Sequence, residues 1–501
     1  MPDTINLILE TTPLLTHSPI LKTTLFKKPV YLYATIAAIG GFVCGYDTGS
    51  ISGIILLPTF QKQYFINNSL PYYESMLLTS FLATSMCGAF FSGYFCDRIG
   101  RKYSMILASI LLWLGILCQI LGLNISLIIF GRLMGGLGTG IMTNAIPLYQ
   151  TEIAPPNIRG RLISIFSLLV SFGQMMGYFV TFGSSYLQSH WCWRLPWLMQ
   201  LVICFIYIIA ICFLPFSPRW LINEGKEIEG LQVLSRIYNL PQDHKTIKAE
   251  FLEIKTTIEA ERLLGQIHSY AELFNKKGSS INRTIYAFFI SIATCFTGNI
   301  MITYYAPQLF KNAGLSNVSA SIASTGGIGL LSLICTALSL QWWIDLWDRR
   351  SLFLIGSFIS CICMFVIGFM FHFYAIVVED GKINLPVIVS DMYASWTIIF
   401  CMYLFSASFA GTWSVANYVY TTEIFSIRCR AKGLSLTYAI SWAGSIIITY
   451  CVPFFLTYTI SGVFFFFGIC SILTFIGIGF IPETKGKTLE QIDFMFNDHN
   501  K

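Results

Sequence analysis

About twelve apolar runs of roughly 20 residues each follow one another along this chain of 501 residues. A helix of that length crosses the hydrocarbon core of a bilayer, and it pairs its own backbone polar groups there. Hydrophobic residues make up 55% of the chain and charged residues only 11%, a balance far from that of a soluble domain. The sequence therefore predicts an all-α membrane protein.

The predicted spans form two groups of six with a polar segment between them. The first group is 30–57, 74–95, 103–122, 125–149, 162–182 and 195–214; the second is 284–310, 319–344, 352–376, 393–421, 434–457 and 462–481. The predicted organisation is a tail (1–29), a six-helix bundle (30–214), a linker (215–283), a second bundle (284–481) and a short tail (482–501). In the linker, 228–238 and 247–264 mix apolar and charged residues at helical spacing, which predicts two amphipathic surface helices.

Two sets of charged residues between the apolar runs repeat each other. In each set an acidic residue precedes an arginine by four positions, and a glutamate precedes another arginine by seven. The first charged cluster is Asp97, Arg101, Glu152 and Arg159; the second charged cluster is Asp345, Arg349, Glu423 and Arg430. The repetition indicates two related halves that move against each other around a central site.

A mechanical role is the favoured interpretation of these clusters. Salt bridges Glu152–Arg159 and Glu423–Arg430 would hold one conformation and break as the halves rock. Ordinary charges that set the topology are the alternative.

Lysine and arginine set the predicted orientation. Most of the 31 basic residues fall in the termini and the even-numbered loops, and positive charge favours the cytoplasmic side. Both termini and the linker are therefore expected in the cytoplasm. The net charge of +6 comes from these flanks, so lipid headgroups are the expected contacts and no nucleic-acid partner is needed.

Two charged residues stand well inside predicted spans. Asp47 lies in the first span and Arg132 in the fourth. An unpaired charge in hydrocarbon costs roughly 2.5–3.5 kcal/mol even on lenient insertion scales, so the two are expected to neutralise each other. Three interpretations stay open: a protonation switch that biases the carrier between its two faces, a static ion pair, or a charge close enough to the interface to be solvated.

Short motifs in a fixed order resemble those of sugar porters of the major facilitator superfamily, in the style of fungal hexose transporters. The matching stretches are Gly45-Tyr46-Asp47-Thr48-Gly49, Asp97-Arg98-Ile99-Gly100-Arg101-Lys102, Gly131-Arg132, Arg159-Gly160-Arg161, Ser217-Pro218-Arg219-Trp220-Leu221, Tyr304-Tyr305-Ala306-Pro307 and Pro482-Glu483-Thr484-Lys485-Gly486. The resemblance implies the major facilitator fold, with twelve transmembrane helices in two pseudo-symmetric halves.

The resemblance also implies roles for single residues. In proton-coupled members an aspartate and an arginine at the positions of Asp47 and Arg132 pair with each other. Gln174 matches a glutamine that binds sugar hydroxyls, and Trp442 matches a tryptophan that lines the cavity. A helix–helix hydrogen bond for Gln174 and simple packing for Trp442 are the alternatives.

The sequence departs from the family in the half that usually supplies most hydrogen bonds to the sugar. Thr294 and Cys295 replace two glutamines, and Ile300 and Leu333 replace two asparagines. Asn299 is displaced by one residue, which turns it by about 100° around a helix. Span 10 has Ser414, Val415 and Tyr418 in place of the usual Gly-Pro and tryptophan. Glucose recognition is therefore expected to be weakened or redirected. A different pattern of hydrogen bonds could come from Thr294, Asn299, Thr303, Asn417 and Tyr418, of which Thr294, Asn299 and Tyr418 are the weaker predicted contacts.

The sequence also contains candidate sorting and glycosylation signals. Glu10 precedes the pair Leu14 and Leu15 as in an acidic dileucine signal, which a sorting adaptor would bind. Asn67 and Asn317 begin glycosylation sequons in loops expected on the non-cytoplasmic side. The plasma membrane is the expected location, with a vacuolar or endosomal membrane as the alternative.

The expected function is a carrier for a hexose-like monosaccharide or a polyol, working by alternating access, with proton coupling left open. The rival is a sensor that binds sugar with little or no transport. No nucleophile and base are arranged as in an enzyme, and no cofactor or metal ligand set is expected.

Overall fold

The computed structural model describes residues 28–64, 70–155, 158–187, 189–263, 270–274, 280–315, 318–377, 387–389, 391–425 and 429–485. Within these ranges, twelve helices are long and apolar enough to cross a membrane. This confirms the predicted all-α membrane fold and the number of spans. Each helix lies within a few residues of its predicted position.

The spans are numbered 1 to 12 in chain order. Spans 1 to 6 are Lys28–Ile54, Leu70–Arg98, Arg101–Leu121, Ile125–Ile153, Arg159–Ser184 and Trp191–Cys212. Spans 7 to 12 begin at Ser280, Val318, Arg349, Met392, Arg430 and Ile460. Spans 9, 11 and 12 are continuous: Arg349–Tyr374, Arg430–Tyr458 and Ile460–Ile478.

The other three spans of the second half are interrupted. Span 7 consists of Ser280–Thr294, a π-helical turn at Cys295–Asn299, and Ile300–Asn312. Span 8 runs through Val318–Leu338, a second π-helical turn at Ser339–Trp343, and Ile344–Leu346. Span 10 breaks at Thr412 into Met392–Gly411 and Trp413–Ile424. Irregular backbone at membrane depth is tolerated where it is buried in protein or lines a cavity. The interruptions of spans 7 and 10 lie at or next to residues that line a cavity, whereas the π-helical turn of span 8 does not.

Spans 1 and 5 pack with their backbones in close contact. A Cβ atom at Gly45 would lie 2.0 Å from the backbone oxygen of Val170, so only glycine fits there. Small residues let transmembrane helices approach in this way. The contact brings the segment of span 1 that carries Asp47 against the segment of span 5 that carries Gln174.

The linker forms three helices, Pro218–Asn223, Glu227–Tyr238 and Lys245–Leu263, and a 3₁₀ turn at Tyr270–Phe274. The second and third helices lie close to the two predicted at 228–238 and 247–264. The indole of Trp220 donates a hydrogen bond to the backbone oxygen of Asp97 at 3.0 Å, so the linker lies against the end of span 2. We call this end of the bundle the linker side.

A short β-hairpin was not expected from the sequence. Residues Ala375–Val377, which follow span 9, pair antiparallel with Val387–Val389, which precede span 10. The hairpin is too small to change the fold class.

Candidate substrate cavity and buried ion pair

A cavity of about 240 Å³ lies between the two halves. All five residues predicted to contact substrate line it, one from the first half and four from the second: Gln174, Thr294, Asn299, Tyr418 and Trp442. The structure thus brings together residues from spans 5, 7, 10 and 11 that are up to 268 positions apart in the chain. Their contact with substrate stays a prediction.

A hydrogen-bond chain crosses from one half to the other at the cavity wall. The Gln174 amide donates to the Tyr178 hydroxyl at 2.8 Å, and that hydroxyl donates to the backbone oxygen of Thr303 at 2.9 Å. Gln174 is half-buried. Tyr178 therefore uses one amide proton of Gln174 and orients the rest of that side chain toward the cavity.

The π-helical turn of span 7 changes the expected position of Asn299. A regular helix would turn Asn299 about 100° away from the family position at Ile300, but both residues line the cavity. A π turn inserts one extra residue into the helix, and it therefore absorbs most of a one-residue displacement. Gly298 allows this turn because its φ is +96°, in the region that favours glycine.

Two other positions depart from the family pattern: Cys295 contacts a neighbouring helix, and Leu333 is apolar. The Cys295 thiol, at a glutamine position, lies 3.2 Å from the backbone oxygen of Ser441 and serves as a helix–helix contact. Span 8 places Ser332 and Ile328 at the cavity, whereas Leu333 does not line it.

Span 11 contributes more to the cavity than the sequence analysis recognised. Tyr438, Ser441 and Ser445 line it together with Trp442. The last three of these four residues in chain order come three, four and seven positions after Tyr438, which places all four on one face of a helix. Helical spacing from Trp442 was thus the signal that could have identified the other three.

The cavity wall carries hydroxyl, amide, thiol and aromatic groups, and none of its described lining residues has a charged side chain. In the described residues there is also no group of three or more metal-ligating side chains. The wall therefore suits the hydrogen bonds of a neutral polar molecule better than a charged one.

Asp47 and Arg132 form a buried ion pair next to this wall. The Arg132 Nη1 atom lies 2.6 Å from the Asp47 Oδ2 atom, and each side chain is only 1% exposed. The Gln200 amide lies 3.4 Å from the other carboxylate oxygen, and the guanidinium stands 4.1 Å from the ring centre of Phe81. Tyr304, which lines the cavity, lies within electrostatic range of both charges.

The first charged cluster pairs differently from the spacing-based prediction. Arg101, at the start of span 3, contacts Glu152 at 2.8 Å and Asp97 at 3.6 Å. Glu152 and Arg159 form no salt bridge with each other. Span 4 ends at Ile153 and span 5 begins at Arg159, so Glu152 faces the start of span 3 instead.

The second charged cluster repeats this arrangement. Arg349, at the start of span 9, lies 3.8 Å from Glu423, and the predicted pair Glu423–Arg430 is absent from the described residues. Arg430 instead donates to the backbone oxygen of Phe425 at 3.4 Å. The Asp345 side chain lies outside the described part of the chain.

The remaining arginines reach across the two halves. Arg159 lies within electrostatic range of Glu423, and Arg430 lies within range of Glu152. Each glutamate therefore has an arginine of its own half in contact and an arginine of the other half nearby.

Other predicted positions fall outside the described residues: the dileucine signal at Glu10, Leu14 and Leu15, and the sequons at Asn67 and Asn317.

Two bundles of six helices around a central polar cavity define a membrane carrier of the major facilitator superfamily. Residues 33–496 match the family model for sugar (and other) transporters. The chain belongs to this sugar transporter family, and it is a carrier rather than an enzyme.

Named relatives and solved structures agree with this class. The probable quinate permease of Aspergillus niger is 30% identical over 482 residues, which cover 93% of this chain and 88% of the relative. The quinate permease of Emericella nidulans is 29% identical over 486 residues, with the same coverage. The proton:xylose symporter XylE bound to 6-bromo-6-deoxy-D-glucose aligns with a TM-score of 0.79 at 23% identity, over 94% of this chain and 100% of XylE. The inward-open XylE from E. coli gives a TM-score of 0.70 at 22% identity, over 93% and 99%.

Proposed function

We propose that this carrier moves a neutral monosaccharide or polyol by alternating access, and that the cavity between the halves is its binding site. The observation that carries the proposal is the wall itself, which is rich in hydroxyl and amide groups and has no charged side chain among its described residues. Gln174, Thr294, Asn299 and Tyr418 would bond to substrate hydroxyls, and Trp442 would offer an apolar face to the ring.

A carboxylated polyol such as quinate is the second candidate, because the relatives named above are quinate permeases. A buried carboxylate needs a cationic partner or several hydrogen-bond donors. No described lining residue is basic, and Arg132 is already bound to Asp47. We therefore rank the neutral substrate first.

We further propose that Asp47 couples transport to a proton. A carboxylate that is 1% exposed and paired with one arginine can lose that pair when it takes up a proton. Arg132 would then no longer be bound to Asp47. Tyr304, which lies within electrostatic range of both charges, would transmit this change to the cavity. The proton:xylose symporter XylE, a structural neighbour, is consistent with this role.

The charged clusters would act as gates on the linker side. Each glutamate has an arginine of the opposite half within electrostatic range, so separating the halves would weaken these interactions. In this proposal the linker side and both termini face the cytoplasm, in the plasma membrane or in a vacuolar or endosomal membrane. An adaptor would read the signal at Leu14 and Leu15, and Asn67 and Asn317 would carry glycans on the opposite side.

The test is uptake of labelled glucose, fructose, xylose, inositol and quinate into proteoliposomes, with and without a pH gradient. We expect saturable uptake of at least one neutral compound, and accumulation only with the gradient. Uptake of quinate alone would move the assignment to a carboxylated polyol. Binding without uptake of any compound would favour the sugar sensor instead.

The coupling role has its own test in the Asp47→Asn variant. We expect it to exchange substrate across the membrane without a gradient but to lose accumulation driven by protons. Transport with an unchanged rate and pH dependence would show that Asp47–Arg132 is only a static pair.

A further inference from the structure

A second enclosed carboxyl group lies near the start of span 2. Glu74 is 8% exposed, and it lies 23 positions before Asp97, which is on the linker side. At 1.5 Å per residue, Glu74 is roughly 35 Å from that side, at the opposite end of the bundle, which we call the far side. In the described part of the chain, its carboxyl group has neither a salt bridge nor a hydrogen bond. Glu74 thus lacks the cationic partner that Asp47 has.

Glu74 faces the second half of the carrier. Tyr305 of span 7 is 1% exposed and lies within electrostatic range of Glu74. Its hydroxyl donates a hydrogen bond to the backbone oxygen of Thr449 in span 11 at 3.0 Å. Elsewhere in span 7, Tyr304 lies within range of the buried ion pair, and Lys311 is exposed. Because span 2 belongs to the first half and spans 7 and 11 to the second, Glu74 lies at the junction of the halves on the far side.

The other groups around Glu74 supply no counter-charge. Span 2 packs against spans 3, 4 and 11, whose far-side parts are 110–121, 125–138 and 444–458. Arg132 is the one charged residue in these parts of the sequence, and it is bound to Asp47 at 2.6 Å. The remaining titratable groups there are thiols and phenols, which are neutral in water near pH 7: Cys118, Tyr450, Cys451 and Tyr458.

An enclosed carboxyl group without a cationic partner is favourable only in its neutral form. A lone charge at membrane depth is costly, whereas the same carboxyl group in water is charged near pH 7. Alternating access opens and closes the junction of the halves on each side in turn. Glu74 would therefore be enclosed in one state and hydrated in the other, and the equilibrium between the two states would depend on pH.

We propose that Glu74 is a second proton-binding residue, which carries a proton while the halves are closed on the far side and releases it when they open there. The step is an acid dissociation: the Glu74 carboxyl group gives its proton to water on the far side, and the carboxylate remains. The proposal rests on the alternating access of the proposed function, but neither on the identity of the substrate nor on Asp47. It makes opening on the far side more favourable as the pH rises.

Pulsed EPR can measure the open and closed populations directly. Nitroxide labels, attached through unnatural amino acids at Leu123 and Tyr393, would report the distance between the halves on the far side. Leu123 lies between spans 3 and 4, Tyr393 lies at the start of span 10, and the two are 80% and 85% exposed. The full-length protein is measured in detergent without substrate, at pH 5.5 and pH 7.5 in choline chloride.

In the wild type we expect two distance populations. The ratio of open to closed should rise between these pH values by roughly three- to a hundredfold, because one coupled proton gives at most about tenfold per pH unit. The same comparison is made in the Asp47→Asn/Arg132→Met variant, where the buried ion pair cannot contribute. The pH dependence should persist in that background.

Two changes at Glu74 are then added to this background. Glu74→Gln resembles the protonated acid and should hold the ratio at its low-pH value at both pH values. Glu74→Asp keeps a carboxyl group and should keep the pH dependence. A Glu74 with only a structural role would change stability, but its replacement by glutamine would not remove the pH dependence.

Glu152→Gln is the matched control, since it neutralises another enclosed glutamate of the first half, 5% exposed and on the linker side. It should keep the fold-change between the two pH values even where it shifts both ratios. Replacing choline by sodium at pH 7.5 should leave the ratio unchanged. A return to the low-pH ratio in sodium would overturn the proposal in favour of a site for a metal cation.

The remaining outcomes separate this proposal from the proposed function. A pH dependence that persists after Glu74→Gln, or is lost in Glu74→Asp, would overturn the role of Glu74 and leave alternating access intact. A pH dependence that is absent from the wild type would do the same. A dependence that is present in the wild type and absent without the ion pair would assign the proton to Asp47 instead. A single distance population at every pH and in every variant would overturn the alternating access of the proposed function, and this proposal with it.

Discussion

The two charged clusters have the same sequence pattern but different surroundings. In the first half, Arg101 contacts Glu152 at 2.8 Å and also Asp97, and the Arg101 and Glu152 side chains are 11% and 5% exposed. In the second half, Arg349 lies 3.8 Å from Glu423, and these side chains are 7% and 17% exposed. The duplicated pattern thus gives a close, enclosed ion pair in one half and a looser one in the other.

The C-terminal tail supports the looser pair. Glu483 accepts hydrogen bonds from the backbone nitrogens of Arg349 and Arg350 at 3.1 and 2.9 Å. The Thr484 hydroxyl donates to Glu423 at 3.0 Å. The second half therefore depends on a segment that follows its last span, whereas the Arg101–Glu152 pair of the first half joins two of its own helices. A duplicated motif need not have duplicated energetics.

The largest effect is expected at the buried ion pair of the first half. Arg132→Met leaves the carboxylate of Asp47 buried without its partner, and breaking a buried pair in this way costs about 3–5 kcal/mol. We expect a large fall in thermal stability of the purified protein in detergent, measured by light scattering and intrinsic fluorescence.

The double variant Asp47→Asn/Arg132→Met is the matched control, since it removes both charges and keeps similar volumes. It should recover most of the lost stability, because no unpaired charge stays buried. Equal losses in the single and double variants would mean that packing around Arg132 matters more than its charge.

A smaller effect should separate the two charged clusters directly. Glu152→Gln removes the charge from the shorter pair and should cost about 2 kcal/mol. Glu423→Gln should cost about 1 kcal/mol or less because its pair is longer and its carboxylate is more exposed. Thermal unfolding of the two variants side by side measures the difference. If Glu423→Gln proves the more damaging change, the ranking of the two clusters is wrong.

The dependence on the tail gives a third, weaker effect. Glu483→Gln removes the carboxylate at the start of span 9, where a negative charge stabilises a helix by about 0.3–1 kcal/mol. Glu423→Gln should then cost less in the Glu483→Gln background than alone, because Arg349 is already less well positioned. The exposed Glu224 offers a control: Glu224→Gln should show no coupling with Glu423→Gln.

Prediction from the sequence succeeded for features that the type and spacing of residues determine on their own. The twelve spans followed from apolar length alone. Asp47 and Arg132 followed from the cost of a lone charge in hydrocarbon, and they lie 2.6 Å apart. The resemblance to known carriers placed Gln174 and Trp442 at one cavity although they stand in different halves.

It failed where the outcome depends on how helices face each other. The partner of Glu152 is Arg101, 51 positions earlier, because the ends of spans 3 and 4 meet on the linker side. The π turn that brings Asn299 to the cavity depends on Gly298 and its neighbours in three dimensions.

The smallest effect concerns the linker, whose third helix places Glu250 within electrostatic range of Arg159 of the first half. Burial and the neighbouring Glu253 raise the pKa of Glu250, and Tyr238 and Arg159 only partly oppose this shift. A carboxyl with a raised pKa in the folded state stabilises that state at low pH, and this contribution is lost as the pH rises through the raised value. Docking of Lys245–Leu263 should therefore weaken between acidic and neutral pH. After correction for intrinsic rates, the amides of this helix should be less protected from hydrogen exchange at pH 7.5 than at pH 5.

Two variants test the role of Glu250. Glu250→Gln should abolish the pH dependence of the protection. Glu253→Gln should move that dependence to lower pH, since it removes a negative neighbour. A helix equally protected at both pH values would show that its docking does not depend on the protonation of Glu250.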